Sequence, residues 1–135
     1  MIRWLSGVFL AFLLAGTALA GEKEAAAEAA ARGWLVHLDA GDYAKSWSAA
    51  GTLFKRQLTA QAWAGAAAGV RDPLGALRSR EKKAAQRAGS LPGAPDGEYM
   101  VMQFDSSFAN KKAAVETVTT VFEDGVWRVI GYFIR

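Results

Sequence analysis

The residue pattern of this chain changes near its middle, and this change limits the possible folds more than any other feature. Between residues 22 and 70, apolar side chains recur every three or four positions, as they do along one face of an α-helix. From residue 98 onward, the chain is rich in Val, Thr and aromatic residues, with turn residues between extended runs. We therefore predict an α+β fold, in which N-terminal helices pack on an antiparallel sheet.

Three helices are predicted in the first half. The first covers residues 22–42, and its buried face is marked by five residues at helical spacing: Ala27, Ala31, Trp34, Leu35 and Leu38. Gly41 ends this helix, because glycine readily adopts the left-handed conformation that follows a helix. Asp42 is the expected N-cap of a short second helix, and Thr59 is that of a third, which runs to about Val70.

Three strands are predicted in the second half, over residues 98–108, 113–123 and 126–135. Asp124-Gly125 strongly indicates a two-residue hairpin turn, and Asn110-Lys111 indicates a second one less strongly. Together the two turns fix which residues lie opposite each other, and therefore which side chains share a face of the sheet.

With this register, one face of the sheet holds most of the large apolar residues and should pack on the helices. That inner face also includes four polar residues: Arg128, Tyr132, Thr117 and Thr119. The outer face includes four aromatic residues: Tyr99, Phe122, Trp127 and Phe133. On the outer face, Asp105 and Glu116 are expected to lie directly opposite each other.

The segment between the helices and these strands, residues 76–89, fits either a helix or an edge strand. Its local propensity favours a helix, whereas its lysines are typical of the way an exposed sheet edge is protected from pairing. The surrounding stretch, residues 71–87, has six basic and two acidic side chains, a local charge of +4. Such a patch either attracts an acidic partner or is a solvated edge.

The first twenty residues have the three-part plan of a secretory signal peptide. Arg3 gives a positive start, residues 4–20 are apolar and uncharged, and Ala18-Leu19-Ala20 matches the pattern that signal peptidase recognises. We predict cleavage after Ala20, which leaves one mature domain, residues 21–135, in the periplasm or outside the cell. The alternative is an uncleaved anchor, for which the apolar run is at the lower end of the ~17–25 residues required.

The chain contains no Cys, which excludes disulfides, thiolate metal sites and a Cys nucleophile. Hydrophobic residues make up 52 % of the chain and include five Trp, enough to build the core of a single domain. No nucleic-acid recognition motif is present, so we expect no nucleic-acid partner.

Several strings of residues look like a bacterial family of exported proteins catalogued as domain of unknown function 4019. They are DAGDYAKSW (39–47), RDPLG (71–75), SR (79–80), LPGAPDGEY (91–99), SFANKKAAVETVT (107–119) and WRVIGYFIR (127–135). The family resembles the cone-shaped nuclear transport factor 2-like, or cystatin-like, superfold. This resemblance implies that residues 76–89 form a strand and that the helices pack on a curved four-stranded antiparallel sheet. It implies no activity.

Three residues are candidates for catalysis. His37, the only histidine, titrates near neutral pH but has no evident partner in the sequence. Asp105 and Glu116, if opposite each other, resemble the paired carboxylates of a general acid or base. In each case a structural or solvent-facing role is the alternative. No spacing of His or acidic residues matches a metal site, and no cofactor is expected.

The inward-facing polar residues suggest binding rather than chemistry. An inward Arg128 needs an anionic partner, which is either Glu123 or the carboxylate of a ligand held together with Tyr132, Thr117 and Thr119. The outer aromatic residues Tyr99, Phe122, Trp127 and Phe133 suggest a homodimer surface.

We therefore predict a non-catalytic binding domain for a small apolar or anionic ligand, or for a peptide, held between helices and sheet. The alternatives are an isomerase- or dehydratase-type enzyme and a structural homodimer.

Overall fold

The fold is described by a computed structural model, which covers the backbone of residues 2–135 and the side chains of residues 19–135. Residues 1–18, most of the predicted signal peptide, lie outside the residues whose side chains are described. The elements are α1 Ile2–Asp39, α2 Tyr43–Ala49, α3 Thr52–Gln57, α4 Ala60–Arg71, a 3-10 turn Asp72–Leu74, β1 Leu77–Ala88, β2 Tyr99–Phe108, β3 Lys111–Glu123 and β4 Val126–Ile134. The strands form one antiparallel sheet in the order β1-β2-β3-β4, and the helices precede it, so the α+β class is confirmed.

Three helix ends lie at the predicted capping residues, although α1 begins at Ile2 and not at residue 22. Gly41 follows α1 with a φ of +74°, the left-handed conformation that a glycine adopts without strain. The Asp42 side chain accepts a hydrogen bond of 3.1 Å from the Lys45 amide at the start of α2. Thr59 accepts one of 3.1 Å from the Ala62 amide at the start of α4. Helix α3, between these two, is an element that the residue pattern does not predict.

The core lies between α1, the shorter helices and one face of the sheet. The five predicted core residues of α1 are all exposed by 4 % or less, which confirms that helical face. The rings of Trp34, Phe54 and Trp63 meet with centroids 4.9–6.3 Å apart. Both indole N–H groups donate hydrogen bonds of 2.8 Å to Ser46, one to its carbonyl oxygen and one to its Oγ. These contacts fix the positions of α2 and α4 on α1.

Residues 77–88 form a strand, as the family resemblance implies and against their local helix propensity. This strand, β1, pairs with β2 along its length, from Leu77 opposite Phe108 to Ala88 opposite Tyr99. Backbone pairing with a strong neighbouring strand therefore outweighs the intrinsic preference of a Lys-, Arg- and Ala-rich segment. Most β1 side chains are exposed, as expected for a protected sheet edge.

The register between β2 and β3 differs by one residue from the predicted one. Asp105 lies opposite Val115, and Glu116 lies opposite Phe104, so Asp105 and Glu116 are not paired. Since side chains alternate along a strand, the shift reverses the two faces of β3. Its helix-facing residues are Ala114, Glu116, Val118 and Thr120, all exposed by 5 % or less.

The cause of this shift is the position of the β2–β3 turn. The turn comprises Ala109 and Asn110, one residue earlier than predicted, and a bulge between Ser106 and Phe108 partly compensates for it. Asn110 is held there by contacts outside the hairpin. Its amide donates to the Leu74 carbonyl at 2.9 Å, and its side-chain amide donates to the Pro73 carbonyl at 3.0 Å.

The turn between β3 and β4 is the predicted one, with positive φ at both Asp124 and Gly125. Farther from the turn, the pairing shifts by one residue between Thr120 and Thr119, and Ile130 is left without a partner on β3. Because of this bulge, the even-numbered side chains at the end of β4 face the helices, whereas nearer the turn the odd-numbered ones do. Tyr132 therefore packs against the core, with its ring 5.6 Å from that of Trp34.

Candidate functional site

Four charged side chains meet between the helices and the sheet. Asp39 comes from the end of α1, Arg71 from the end of α4, Arg80 from β1 and Glu116 from β3. Their side chains are exposed by 18 %, 4 %, 7 % and 0 %, respectively. We call these four residues the buried ion cluster. Two positive and two negative charges make it neutral as a whole.

Arg80 lies at the centre of the buried ion cluster. Its Nη1 and Nη2 donate to the two carboxylate oxygens of Asp39, at 2.8 and 2.9 Å, and its Nε donates to Glu116 at 2.7 Å. This two-pronged geometry matches the planar guanidinium to a carboxylate. Burial alone would lower the pKa of Arg80, but these hydrogen bonds outweigh it and raise that pKa.

Glu116 accepts three hydrogen bonds although it is completely buried. Oε1 accepts from Arg80 and from the Ser106 hydroxyl, at 2.7 and 2.5 Å, and Oε2 accepts from the Tyr132 hydroxyl at 2.5 Å. Burial, together with the Glu116 charge, raises the pKa of Tyr132 far above its ordinary value. Tyr132 therefore stays protonated and acts as a donor to Glu116.

Arg71 is the least satisfied member of the buried ion cluster. Its Nη2 donates to Asp39 at 2.7 Å, and its guanidinium lies 4.7 Å from the centre of the Phe108 ring. Its Nη1 is 3.8 Å from Glu116 Oε2, which is too long for a hydrogen bond. Within the described residues, neither Nη1 nor Nε has an acceptor. Buried N–H groups without an acceptor are rare in native proteins.

Arg71 and Tyr132 also line a cavity of about 270 Å³ between α4 and the end of β4. We call it the α4–β4 pocket. The rest of its wall is apolar: Trp63, Ala66, Ala67, Val70, Phe133 and Ile134. Phe133 and Val70 are 61 % and 47 % exposed, so they form its rim. An apolar cavity with few polar groups is typical of a small-molecule site, and this volume is just below the usual range of about 300–1,000 Å³.

The three candidate catalytic residues do not come together. Asp105 is 60 % exposed on the outer face of the sheet, where Lys83 lies 4.0 Å away, whereas Glu116 is buried on the inner face. His37 lies on α1, half-buried, and within the described residues its side chain makes no hydrogen bond. The expected carboxylate pair therefore does not exist, because the one-residue register shift turns Glu116 inward.

The predicted ligand residues are divided between the two faces of the sheet. Thr117, Thr119 and Arg128 lie on the outer face, because the buried residues of β3 and β4 alternate with them. Arg128 is 42 % exposed, and its Nε is 3.9 Å from Glu123, the structural partner that the sequence offered. Of these four residues, Tyr132 lines the α4–β4 pocket, and the other three do not.

The four aromatic residues of the predicted dimer surface are divided as well. Trp127 is 9 % exposed and belongs to the core, and Tyr99 is 3 % exposed, with its hydroxyl bonded to the Pro95 carbonyl. Phe122 and Phe133 are 43 % and 61 % exposed. These four residues do not form one exposed patch, so the expected outer aromatic surface is wrong. Homodimerisation itself stays a prediction.

Of the four members of the buried ion cluster, Glu116 is the one that was predicted from the sequence as a candidate site residue. Arg71 and Arg80 belong to the basic stretch 71–87, which was expected either to attract an acidic partner or to be a solvated edge, and Asp39 was not singled out. The partial burial of Asp39 could have been predicted from the sequence. Asp39 lies four residues after the buried Leu35 and next to Leu38, at the edge of the buried face of α1.

Acid is expected to destabilise the protein through Asp39. Burial would raise the pKa of Asp39, but hydrogen bonds from Arg80 and Arg71 outweigh it and lower that pKa. This contribution to stability is therefore complete above the unfolded value of about 3.9 and is lost as the pH falls through the lower folded value. Urea unfolding at pH 7 and at pH 3 measures this loss. Asp39→Asn should be less stable at pH 7 and should lose less stability on acidification, and an equal loss in both proteins would contradict this assignment.

Within the described residues, no group of three or more His or acidic side chains is placed to hold a metal ion, and no helix is long and apolar enough to cross a membrane.

The sequence model of one protein family, described as "Protein of unknown function (DUF4019)", matches residues 30–132. No curated protein and no solved structure matches the chain.

Proposed function

Because the chain belongs to the DUF4019 family, whose description names no activity, we propose a function from its own geometry. It is an exported, non-catalytic binding domain that holds a small, largely apolar molecule in the α4–β4 pocket. One observation carries this proposal: a cavity of about 270 Å³ is lined by six apolar residues together with Arg71 and Tyr132.

Each part of the wall has a role in such binding. Trp63, Phe133 and Ile134 supply apolar area, whose removal from water favours binding in proportion to the area buried. Arg71 adds a positive charge beside this otherwise apolar wall. The buried ion cluster holds Arg71 in place through Asp39, so that the site needs little reorganisation on binding.

The same geometry favours binding over catalysis. A general base needs a free lone pair within reach of the proton that it removes. Glu116, which contacts Tyr132 of the pocket wall, already accepts hydrogen bonds from Arg80, Ser106 and Tyr132. The Tyr132 proton is likewise committed to Glu116.

The likeness to the nuclear transport factor 2-like superfold, in which a cavity lies between helices and sheet, is part of this proposal. Export of the protein is a further part. Removal of residues 1–20 would leave intact the described contact between the start of α1 and the rest of the domain. Leu19 is 58 % exposed, and a Cβ at Gly21 would meet no atom within 4 Å. Lys23 bonds to Glu98 at 2.7 Å, and this contact follows the proposed cleavage site.

The proposal predicts saturable binding of a single-ring probe such as acetophenone. We expect a dissociation constant of about 1 mM, because so small a molecule buries little area. Titration followed by two-dimensional ¹H–¹⁵N NMR should shift the amide signals of α4 and of the end of β4. Val70→Trp should weaken binding at least about tenfold, since a helical side chain extends over the preceding turn, here Ala66 and Ala67 in the pocket wall.

The matched control for this variant is Val36→Trp. Val36 is also an exposed helical valine, at 60 %, but it does not line the α4–β4 pocket. This control should bind acetophenone as the wild type does. The proposal fails if no saturable shift is seen up to the solubility limit, or if both tryptophan variants bind equally well.

A further inference from the structure

The α4–β4 pocket lies against the free edge of the sheet. Its wall includes three consecutive residues of β4: Tyr132, Phe133 and Ile134. Because neighbouring side chains of a strand point to opposite faces, a cavity lined by all three reaches around the edge of β4. β4 is the last strand of the sheet, and among the described strands it pairs with β3 alone. The pocket is therefore beside a strand edge that no other strand covers.

The backbone of β4 directs hydrogen-bonding groups toward this edge. Val115 of β3 and Arg135 exchange two backbone hydrogen bonds, of 2.9 and 3.1 Å. In antiparallel pairing, such bonded pairs alternate with pairs whose N–H and C=O groups point away from the neighbouring strand. By this alternation, Ile134 and Tyr132 are of the second kind. Within the described part of the chain, their backbone N–H and C=O groups have no partner.

This edge lacks the features that usually prevent a strand edge from pairing. Such features are charged side chains, proline or a covering helix. The other edge strand, β1, has six charged residues, whereas residues 129–134 of β4 have no charge and no proline. Helix α4 packs on α2 and makes few contacts with β4, so it does not cover the edge. The end of β4 can therefore accept a further strand.

The length of the open edge favours a peptide over a second copy of the chain. The Gly51 amide donates to the Val129 carbonyl at 2.7 Å, so that the open edge is limited to residues 130–135. A stable interface between two proteins buries about 1,200–2,000 Å². An edge of six residues with one small pocket supplies less than this. A peptide strand instead gains affinity from main-chain hydrogen bonds and specificity from a side chain in a pocket.

We infer that the free edge of β4 binds an extended peptide segment of a partner protein as an additional antiparallel strand. The main chain of the segment bonds to Tyr132 and Ile134, and an apolar side chain of the segment fills the α4–β4 pocket. An apolar side chain matches the pocket, because its wall has no charge apart from the buried Arg71. This inference rests on the proposed function, since it uses the same pocket and identifies the apolar group that the pocket holds.

The peptide acetyl-Thr-Leu-Thr-Leu-Thr-amide tests this inference, because its leucines can lie opposite Tyr132 and Ile134 and face α4. We expect it to bind about tenfold more tightly than acetophenone, since it adds main-chain hydrogen bonds to the apolar contact. Hydrogen exchange followed by NMR should show the amides of Tyr132 and Ile134 exchanging at least about tenfold more slowly in the complex.

Methylation of peptide nitrogens separates strand pairing from simple filling of the pocket. A peptide methylated at both leucine nitrogens cannot donate to β4 and should bind at least about tenfold more weakly. The matched control is methylated at the central threonine nitrogen, which points away from β4, and should bind as the unmodified peptide does. Val70→Trp should weaken binding of the peptide, and Val36→Trp should not.

The outcomes distinguish this inference from the proposed function. If acetophenone binds but the peptide does not, or if methylation of the leucine nitrogens has no effect, the inference is overturned and the proposed function stands. If light scattering shows a dimer in which the amides of Tyr132 and Ile134 are protected without peptide, a second copy occupies the edge, and the inference is again overturned. If neither acetophenone nor the peptide binds, the proposed function itself is wrong.

Discussion

Glu116→Ala is expected to lower the free energy of unfolding by about 3–5 kcal/mol, the usual cost of removing one partner from a buried ion pair. The variant would leave the Nε of Arg80 and the hydroxyls of Ser106 and Tyr132 buried without their acceptor. It would also give the buried ion cluster an uncompensated positive charge. Urea unfolding at pH 7, followed by circular dichroism, measures the change as a shift of the midpoint.

Two comparisons isolate the role of charge in this result. Glu81→Ala, at an exposed glutamate of β1, should change the stability by no more than about 0.5 kcal/mol. The double variant Arg80→Met/Glu116→Leu should be more stable than either single variant, since removing both partners leaves no unpaired charge of this pair. A loss below about 1 kcal/mol for Glu116→Ala would mean that these hydrogen bonds do not hold the cluster together.

The buried ion cluster explains how a polar edge strand is attached to the helices. β1 has few large apolar residues, and Arg80 is its buried charged side chain. Through Asp39 and Glu116, Arg80 connects β1 to α1 and to β3. A second connection runs from Lys82 to Glu24 and Glu28 on α1, both at 3.0 Å. In this part of the fold, charge takes the role that apolar packing has elsewhere.

The elements that depend on local signals could be predicted from the sequence. The buried face of α1, the caps Asp42 and Thr59 and the Asp124-Gly125 turn all follow from the conformations that these residues prefer. The strand at β1 did not follow from local preference, because it forms through pairing with β2. It was recognised only from the family resemblance.

The site could not be predicted, because it depends on contacts between distant parts of the chain. The turn at Ala109-Asn110 is fixed by bonds to the loop after α4, and no pattern within the hairpin records these bonds. That displacement of one residue moved Glu116 from the outer face to the core and Thr117 from the inner face to the outer one. Arg71 and Arg80 look like surface residues in the sequence, because their burial becomes evident only when Asp39 and Glu116 lie beside them.

Trp127→Glu is expected to unfold the domain. Trp127 is 9 % exposed, packs in the core and contacts the Phe122 ring with centroids 5.4 Å apart. Loss of a buried aromatic side chain costs about 3–5 kcal/mol, and burial of an unpaired carboxylate adds to this cost. The sum approaches the total stability of about 5–15 kcal/mol that is typical of a small domain. Circular dichroism should show the loss of a cooperative thermal transition.

Phe122→Glu is the matched control, because Phe122 lies opposite Trp127 in the sheet but is 43 % exposed. An exposed glutamate stays solvated, so this variant should keep a cooperative transition. Light scattering on the same samples separates folding from association. If Trp127→Glu were folded and monomeric while the wild type was dimeric, Trp127 would be a contact between two copies of the chain. The assignment of Trp127 to the core would then be wrong, and the aromatic dimer surface expected from the sequence would be correct.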